Sequence, residues 1–159
     1  MAYLIDGSNF IGYSSPRNIK DPQAKYRLVS RLLIFQRLKK TRVLLVFDGT
    51  PDLNLIGKAF QKKKFSVIFP PLGGNADETI KEIILKQTDL RRFFVVSSDR
   101  EINRFAKSKR ATPLSSNEFN RELQTALKEH RKSLEIEKKV SSLSPLEINQ
   151  WVKIFKDEK

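Results

Sequence analysis

The apolar positions fall in short continuous runs separated by longer stretches with helical spacing. Tyr3-Leu4-Ile5 ends at Asp6-Gly7-Ser8-Asn9, which reads as a buried strand feeding a turn. Residues 23–40 place Leu28, Leu32, Phe35 and Leu38 at helical spacing, with Arg27, Arg31 and Arg37 elsewhere on the surface, and predict an amphipathic helix. Residues 42–47 are nearly all apolar and form a second strand, stopped by Asp48-Gly49-Thr50-Pro51; residues 52–64 read as a helix ending in Lys62-Lys63-Lys64. A third strand covers 65–69 and closes at Pro70-Pro71 and Gly73-Gly74.

Asn75-Ala76-Asp77-Glu78 is a capping sequence and opens a helix to about Gln87. Residues 93–96 form a fourth strand, and Ser98-Asp99-Arg100-Glu101 repeats the capping pattern before a helix to about Lys107. Residues 111–114 suit a short fifth strand, 117–131 a helix, and 132–142 a polar linker. Ser144-Pro145-Leu146-Glu147 starts a last helix carrying Ile148, Trp151, Ile154 and Phe155 as a core-packing stripe. Strands that are apolar throughout are covered on both faces. Their alternation with helices predicts an α/β sandwich around a mainly parallel sheet.

Composition narrows the chemistry. The 159 residues include no Cys and a single His, so a disulfide framework, a thiolate metal site and a multi-His site are excluded. His130, in a polar helix, reads as a surface residue. No run approaches membrane-spanning length and the start lacks the features of a signal peptide, so a cytoplasmic protein without membrane contact is expected. The net charge of +13 sits almost wholly in residues 1–110, where 22 Lys and Arg face 10 Asp and Glu. That asymmetry points to a polyanionic partner.

Half of those ten acids fall at one place. Asp6, Asp48 and Asp99 directly follow predicted strands, Asp77 stands in the first turn after the third strand, and Glu101 is two residues beyond Asp99. In open parallel sheets ligands bind beyond the carboxyl ends of the strands. Crowded carboxylates repel and require a cation, and all-oxygen ligation suits Mg²⁺ or Mn²⁺. Such ions acidify a water and orient it toward a phosphodiester. Singly, Asp77, Asp99, Glu78 and Glu101 are also ordinary helix-start residues, and Asp48-Gly49 is ordinary turn chemistry. Asp6 is different, because a carboxylate at the end of a core strand is costly without a partner.

Two other motifs fail. Phe47-Asp48-Gly49-Thr50 lacks the paired aspartate of haloacid-dehalogenase phosphatases, since Val46 and Thr50 occupy the flanking positions. Gly73-Gly74-Asn75 is not followed by the Lys-Ser/Thr of a phosphate loop.

The same segments resemble the PIN-like nucleases, specifically the NYN branch and its YacP-like members. The resemblance rests on Tyr3-Leu4-Ile5-Asp6-Gly7-Ser8-Asn9, Leu45-Val46-Phe47-Asp48-Gly49, Asn75-Ala76-Asp77-Glu78-Thr79-Ile80 and Val95-Val96-Ser97-Ser98-Asp99-Arg100-Glu101. It implies a three-layer α/β/α fold with strand order 3-2-1-4-5, a nuclease domain over 1–131, and a linker with a C-terminal helix over 132–159. It also implies a divalent-metal endoribonuclease acting on single-stranded RNA, with mRNA at the ribosome as partner, and products with 5′-phosphate and 3′-hydroxyl ends. Asp6, Asp48, Asp77 and Asp99 would take the catalytic roles. Asp6, Asp77, Asp99 and Glu101 would hold Mg²⁺ or Mn²⁺, Asn9 would orient the site, and Ser98 would bind phosphate or a ligand water. Glu101 departs from the family, which often has Asp there. A non-catalytic RNA-binding module and a structure-specific DNA nuclease are the competing readings.

The expected RNA path uses Lys58, Lys62, Lys63 and Lys64 on one flank of the acidic edge. Arg100, Arg104 and Lys107, with Lys109 and Arg110, occupy the other, and Tyr13 or Phe10 stacks on a base.

Overall fold

A computed structural model describes residues 1–14, 20–57, 61–142 and 144–157. Its elements are β1 (Ala2–Asp6), α1 (Gly7–Ser14), α2 (Pro22–Lys39), β2 (Arg42–Val46), β3 (Phe65–Ile68), α3 (Ala76–Lys86), β4 (Phe93–Val96), α4 (Arg100–Ser108), β5 (Thr112–Leu114), α5 (Ser116–Ser141) and α6 (Pro145–Asp157). The five strands form one all-parallel sheet in the order β3-β2-β1-β4-β5.

Side chains of each strand alternate between two cores. Tyr3, Ile5, Val43, Leu45 and Phe47 pack on one face with Phe10 of α1, Leu28, Leu32 and Phe35 of α2, and Phe119 and Leu123 of α5. Leu4, Leu44, Val46 and Val95 pack on the other with Ile80 and Ile84 of α3 and Ile102 and Ala106 of α4. Because both faces are dry, the strands read as unbroken apolar runs rather than alternating ones. Tyr3 anchors the first layer against the rings of Phe35, Phe94 and Phe119, its hydroxyl donating to Glu122 Oε2 at 3.1 Å.

Several local expectations are corrected. Residues 7–14 form a helix where a turn is expected, because Phe10 and Ile11 bury beside β1. Residues 52–57 and 61–64 make turns, bends and a bridge instead of a helix, with only Leu55 of that stretch buried. Residues 132–141 continue α5 rather than forming a linker, since Lys- and Glu-rich sequence is a good helix former. On α6, Leu146, Val152 and Ile154 are exposed, so Ile154 is not part of a core stripe. The side chains of Ile148, Trp151 and Phe155 lie outside the described residues.

Candidate active site

The sheet reverses its winding direction between β1 and β4, and the carboxyl ends of those two strands face a common crevice. Asp6 is the last residue of β1, in register with Val46, and only 6% exposed. It is the sole buried acid among the described residues. Its Oδ2 accepts the Ser97 hydroxyl at 3.2 Å and its Oδ1 accepts the Asn9 backbone N–H at 3.4 Å. Burial pushes its carboxyl up to about 6. The two hydrogen bonds pull in the opposite sense, and the nearby charges of Asp77 and Asp99 add to the rise.

Gly7 comes next because nothing larger fits. A Cβ there would stand 2.7 Å from Phe47 Cε1 and 2.9 Å from Leu45 Cδ1. The absent side chain lets α1 start against β2 directly after Asp6. Asn9, in the first turn of α1, ties three segments together: its Oδ1 accepts from the Ser98 backbone N–H at 3.1 Å, the Ser98 hydroxyl at 2.8 Å and the Ser116 hydroxyl at 3.3 Å. Ser98 is therefore committed to Asn9, and the two hold the β4–α4 turn beside β1.

Asp99 caps α4, its Oδ1 accepting from the backbone N–H groups of Glu101 (2.8 Å) and Ile102 (3.3 Å), while its own N–H donates to Ser97 Oγ at 3.1 Å. Asp99 thus takes the capping role that the spacing had assigned to Ser98. Asp48, exposed after β2, accepts from Gly49 and from the Ala76 N–H at the start of α3. Asn75 caps α3 by accepting from Glu78, as the capping sequence predicts. Asp77, in that first turn, has its carboxyl pushed up first by desolvation and then by Asp99, with smaller contributions from Asp48 and Glu101 and an opposing one from Lys81. The five acids named from the sequence are therefore brought to one edge, where Asp6 and Asp77 register the charge of their neighbours.

Lys81 and Ser97 escaped the sequence reading. Lys81 sits one turn after Asp77, its Nζ 2.6 Å from Glu101 Oε1. Its ammonium is held above its ordinary range by that bond and by the neighbouring carboxylates. The i, i+4 spacing from Asp77 was the available signal. Ser97 bridges Asp6 and Asp99 through its hydroxyl, and its carbonyl accepts from Asn103 Nδ2 at 3.2 Å. In sequence it was only the residue that follows an apolar strand.

Among the described residues, no three of these acids stand together as a metal-holding group. The donor chemistry nonetheless suits a hard divalent ion, which takes one or two carboxylates and keeps waters for its remaining positions. The mutual repulsion registered at Asp6 and Asp77 is the charge that such an ion would offset.

The basic residues are not where the RNA path expected them. Lys62, Lys63 and Lys64 precede β3, and the Lys64 carbonyl accepts from Val43 at the beginning of β2. In a parallel sheet that is the end opposite Asp6, about 15 Å away. Helix α4 runs back from the crevice, so Arg100 stands beside the site, Arg104 one turn below, and Lys107, Lys109 and Arg110 at the far end. Phe10 is fully buried against Phe119 and cannot stack on a base. Tyr13 is exposed, its hydroxyl donating to Asn117 Oδ1 at 2.8 Å. Lys58 lies outside the described residues.

A family model described as the YacP-like NYN domain matches residues 3–156. Two crystal structures of Rae1 (YacP) from Bacillus subtilis are similar, each with a TM-score of 0.71. One is 23% identical and covers 99% of this chain and 91% of its own; the other, a single-residue mutant, is 22% identical and covers 96% and 90%. At this identity the likeness is one of fold. A comparison with curated proteins finds no match. No helix among the described residues is long and apolar enough to cross a membrane.

Proposed function

The chain belongs to the YacP-like NYN domain family and has its PIN-like nuclease fold, and on that premise we propose that it is a divalent-metal-dependent endoribonuclease. Its substrate in this reading is single-stranded RNA, specifically cytoplasmic mRNA in the context of the ribosome. The observation that supports it best is the buried Asp6 at the winding reversal, faced by Asp77 and Asp99 and tied to β4 through Ser97.

In this reading Asp6, Asp77, Asp99 and Glu101 would serve Mg²⁺ or Mn²⁺, one or two of them directly and the others through its waters, with Asp48 completing the acidic edge. The bound ion supplies positive charge against the phosphodiester and acidifies a water. Ser97 and Asn9 are positioning residues, because they fix Asp6 and Asp99 relative to each other. The N-termini of α1, α3 and α4 converge on the crevice, and the positive ends of their dipoles favour a phosphate there. Arg100 adds a cation at the rim, and Tyr13 offers a stacking face. Lys81 keeps the metal-free edge from excessive repulsion by pairing with Glu101. Asp6 must be ionised to take a cation, so cation binding to the metal-free protein should strengthen as pH rises through about 6.

Matched single-stranded RNA and DNA, incubated with protein in EDTA and then with added Mg²⁺ or Mn²⁺, test the proposal. Internal cleavage of RNA only after metal addition, leaving 5′-phosphate and 3′-hydroxyl ends, is expected. Cleavage that survives exhaustive chelation would refute the mechanism. Preferential cutting of DNA would favour a DNA nuclease, and tight RNA binding without cleavage would favour a non-catalytic module.

A further inference from the structure

The two ends of the sheet carry opposite charge. The segments leaving the strands (6–9, 47–52, 69–78, 97–101 and 115–118) hold eight acids and one cation, Arg100. Those entering the strands (39–42, 61–64, 86–92 and 107–111) hold twelve exposed cations and one acid, Asp89, which pairs with Arg91 at 3.1 Å. The adjacent starts of β3, β2, β1, β4 and β5 spread these cations over about 19 Å, four interstrand spacings. The acidic end accounts for none of them.

A second observation is independent of the charge. Three described non-glycine residues have positive φ: Lys40 (50°), Arg92 (56°) and Arg110 (69°). Each stands within two residues of the start of a strand at this same end. Glycine adopts that conformation without penalty, and Asn is the usual substitute. At all three turns the chain instead has a long cation, exposed to solvent.

We infer that the end of the sheet opposite the acidic crevice is a docking surface for the phosphate backbone of double-stranded RNA. Single-strand binders combine cations with aromatic faces on which bases stack. Among the described residues no aromatic side chain of the entering segments is exposed; Phe65 and Phe93 are buried. A broad cationic end without stacking faces suits backbone recognition of a duplex, which is read through shape, phosphates and 2′-hydroxyls. A strand's length separates this surface from Asp6, so it holds a different RNA segment from the one in the crevice.

The surface is independent of cleavage and is tested in EDTA, where catalysis plays no part. An RNA duplex and a single strand of equal length are titrated with wild type, with the triple variant Lys40→Gly, Arg92→Gly, Arg110→Gly, and with Asp99→Asn across a salt series. Wild type should prefer the duplex. The glycine variant should melt no lower than wild type, while its plot of log affinity against log salt becomes shallower by about 2 to 3, as expected for three lost phosphate contacts. Asp99→Asn should bind like wild type. Should the glycine variant fail to fold, Lys62→Gln, Lys63→Gln, Lys64→Gln provides the same readout. An unchanged slope in a folded variant, a preference for the single strand, or stronger binding to anionic vesicles than to duplex RNA would overturn the inference.

Discussion

Replacing Asp6 with Asn removes the one buried acid among the described residues while keeping its shape. The unfolded carboxyl ionises near 3.8 and the folded one near 6. Between those values the folded state binds more protons, so stability drains away as pH rises from about 4 to above 6. At pH 8 the ionised carboxylate costs the metal-free fold about 3 kcal/mol. Asn avoids that cost but cannot accept from both Ser97 and the Asn9 N–H, which returns about 1 kcal/mol. The net gain of about 2 kcal/mol corresponds to a melting temperature roughly 4–8 °C higher for a chain of this size. Thermal melts in EDTA at pH 4 and pH 8 measure it directly. The gain should be present at pH 8 and absent or reversed at pH 4. A variant destabilised at pH 8, or one whose difference from wild type ignores pH, would refute the assignment of Asp6 as a desolvated carboxylate.

Gly7→Ala should cost about 1–3 kcal/mol, read as a lower urea midpoint, because the new methyl group meets Phe47 and Leu45 below 3 Å; an unchanged midpoint would remove the packing account of the Asp-Gly pair. Asn9→Ala strands two donors of Ser98 and one of Ser116, and should lower stability by about 1–3 kcal/mol and slow single-turnover cleavage. Full activity would show that Asn9 does not position the site. Lys81→Met leaves Asp77 and Glu101 uncompensated, so Mn²⁺ affinity by calorimetry should rise; an equal or weaker affinity would contradict the electrostatic picture.

The parallel sheet and the acidic edge were legible because each rests on a local pattern. Unbroken apolar runs such as 43–47 mark strands covered twice, and an acid straight after such a run must lie at the sheet's carboxyl end. Helix α1 was hidden because Gly7, Ser8, Asn9 and Gly12 are weak helix formers, and burial of Phe10 and Ile11 overrides that weakness. Leu53 and Ile56 gave residues 52–57 a false helical signature, since both are exposed. Polarity was mistaken for a linker at 132–142, although Lys and Glu favour helix. The lysines before β3 were misplaced by reading nearness in sequence as nearness to the site. In a parallel sheet, residues entering a strand and residues leaving it lie at opposite ends. Ser97 could not be found by pattern, because its role exists only once β4 lies beside β1.

The central claim is that the acids at this edge hydrolyse RNA, and Asp99→Asn tests it most directly. Asn caps a helix as well as Asp does, so α4 should persist and the variant should melt close to wild type. Measured with single-stranded RNA in saturating Mg²⁺, its internal cleavage should fall to background while RNA binding in EDTA is retained. A folded Asp99→Asn variant that cleaves at the wild-type rate would place the chemistry elsewhere in the molecule.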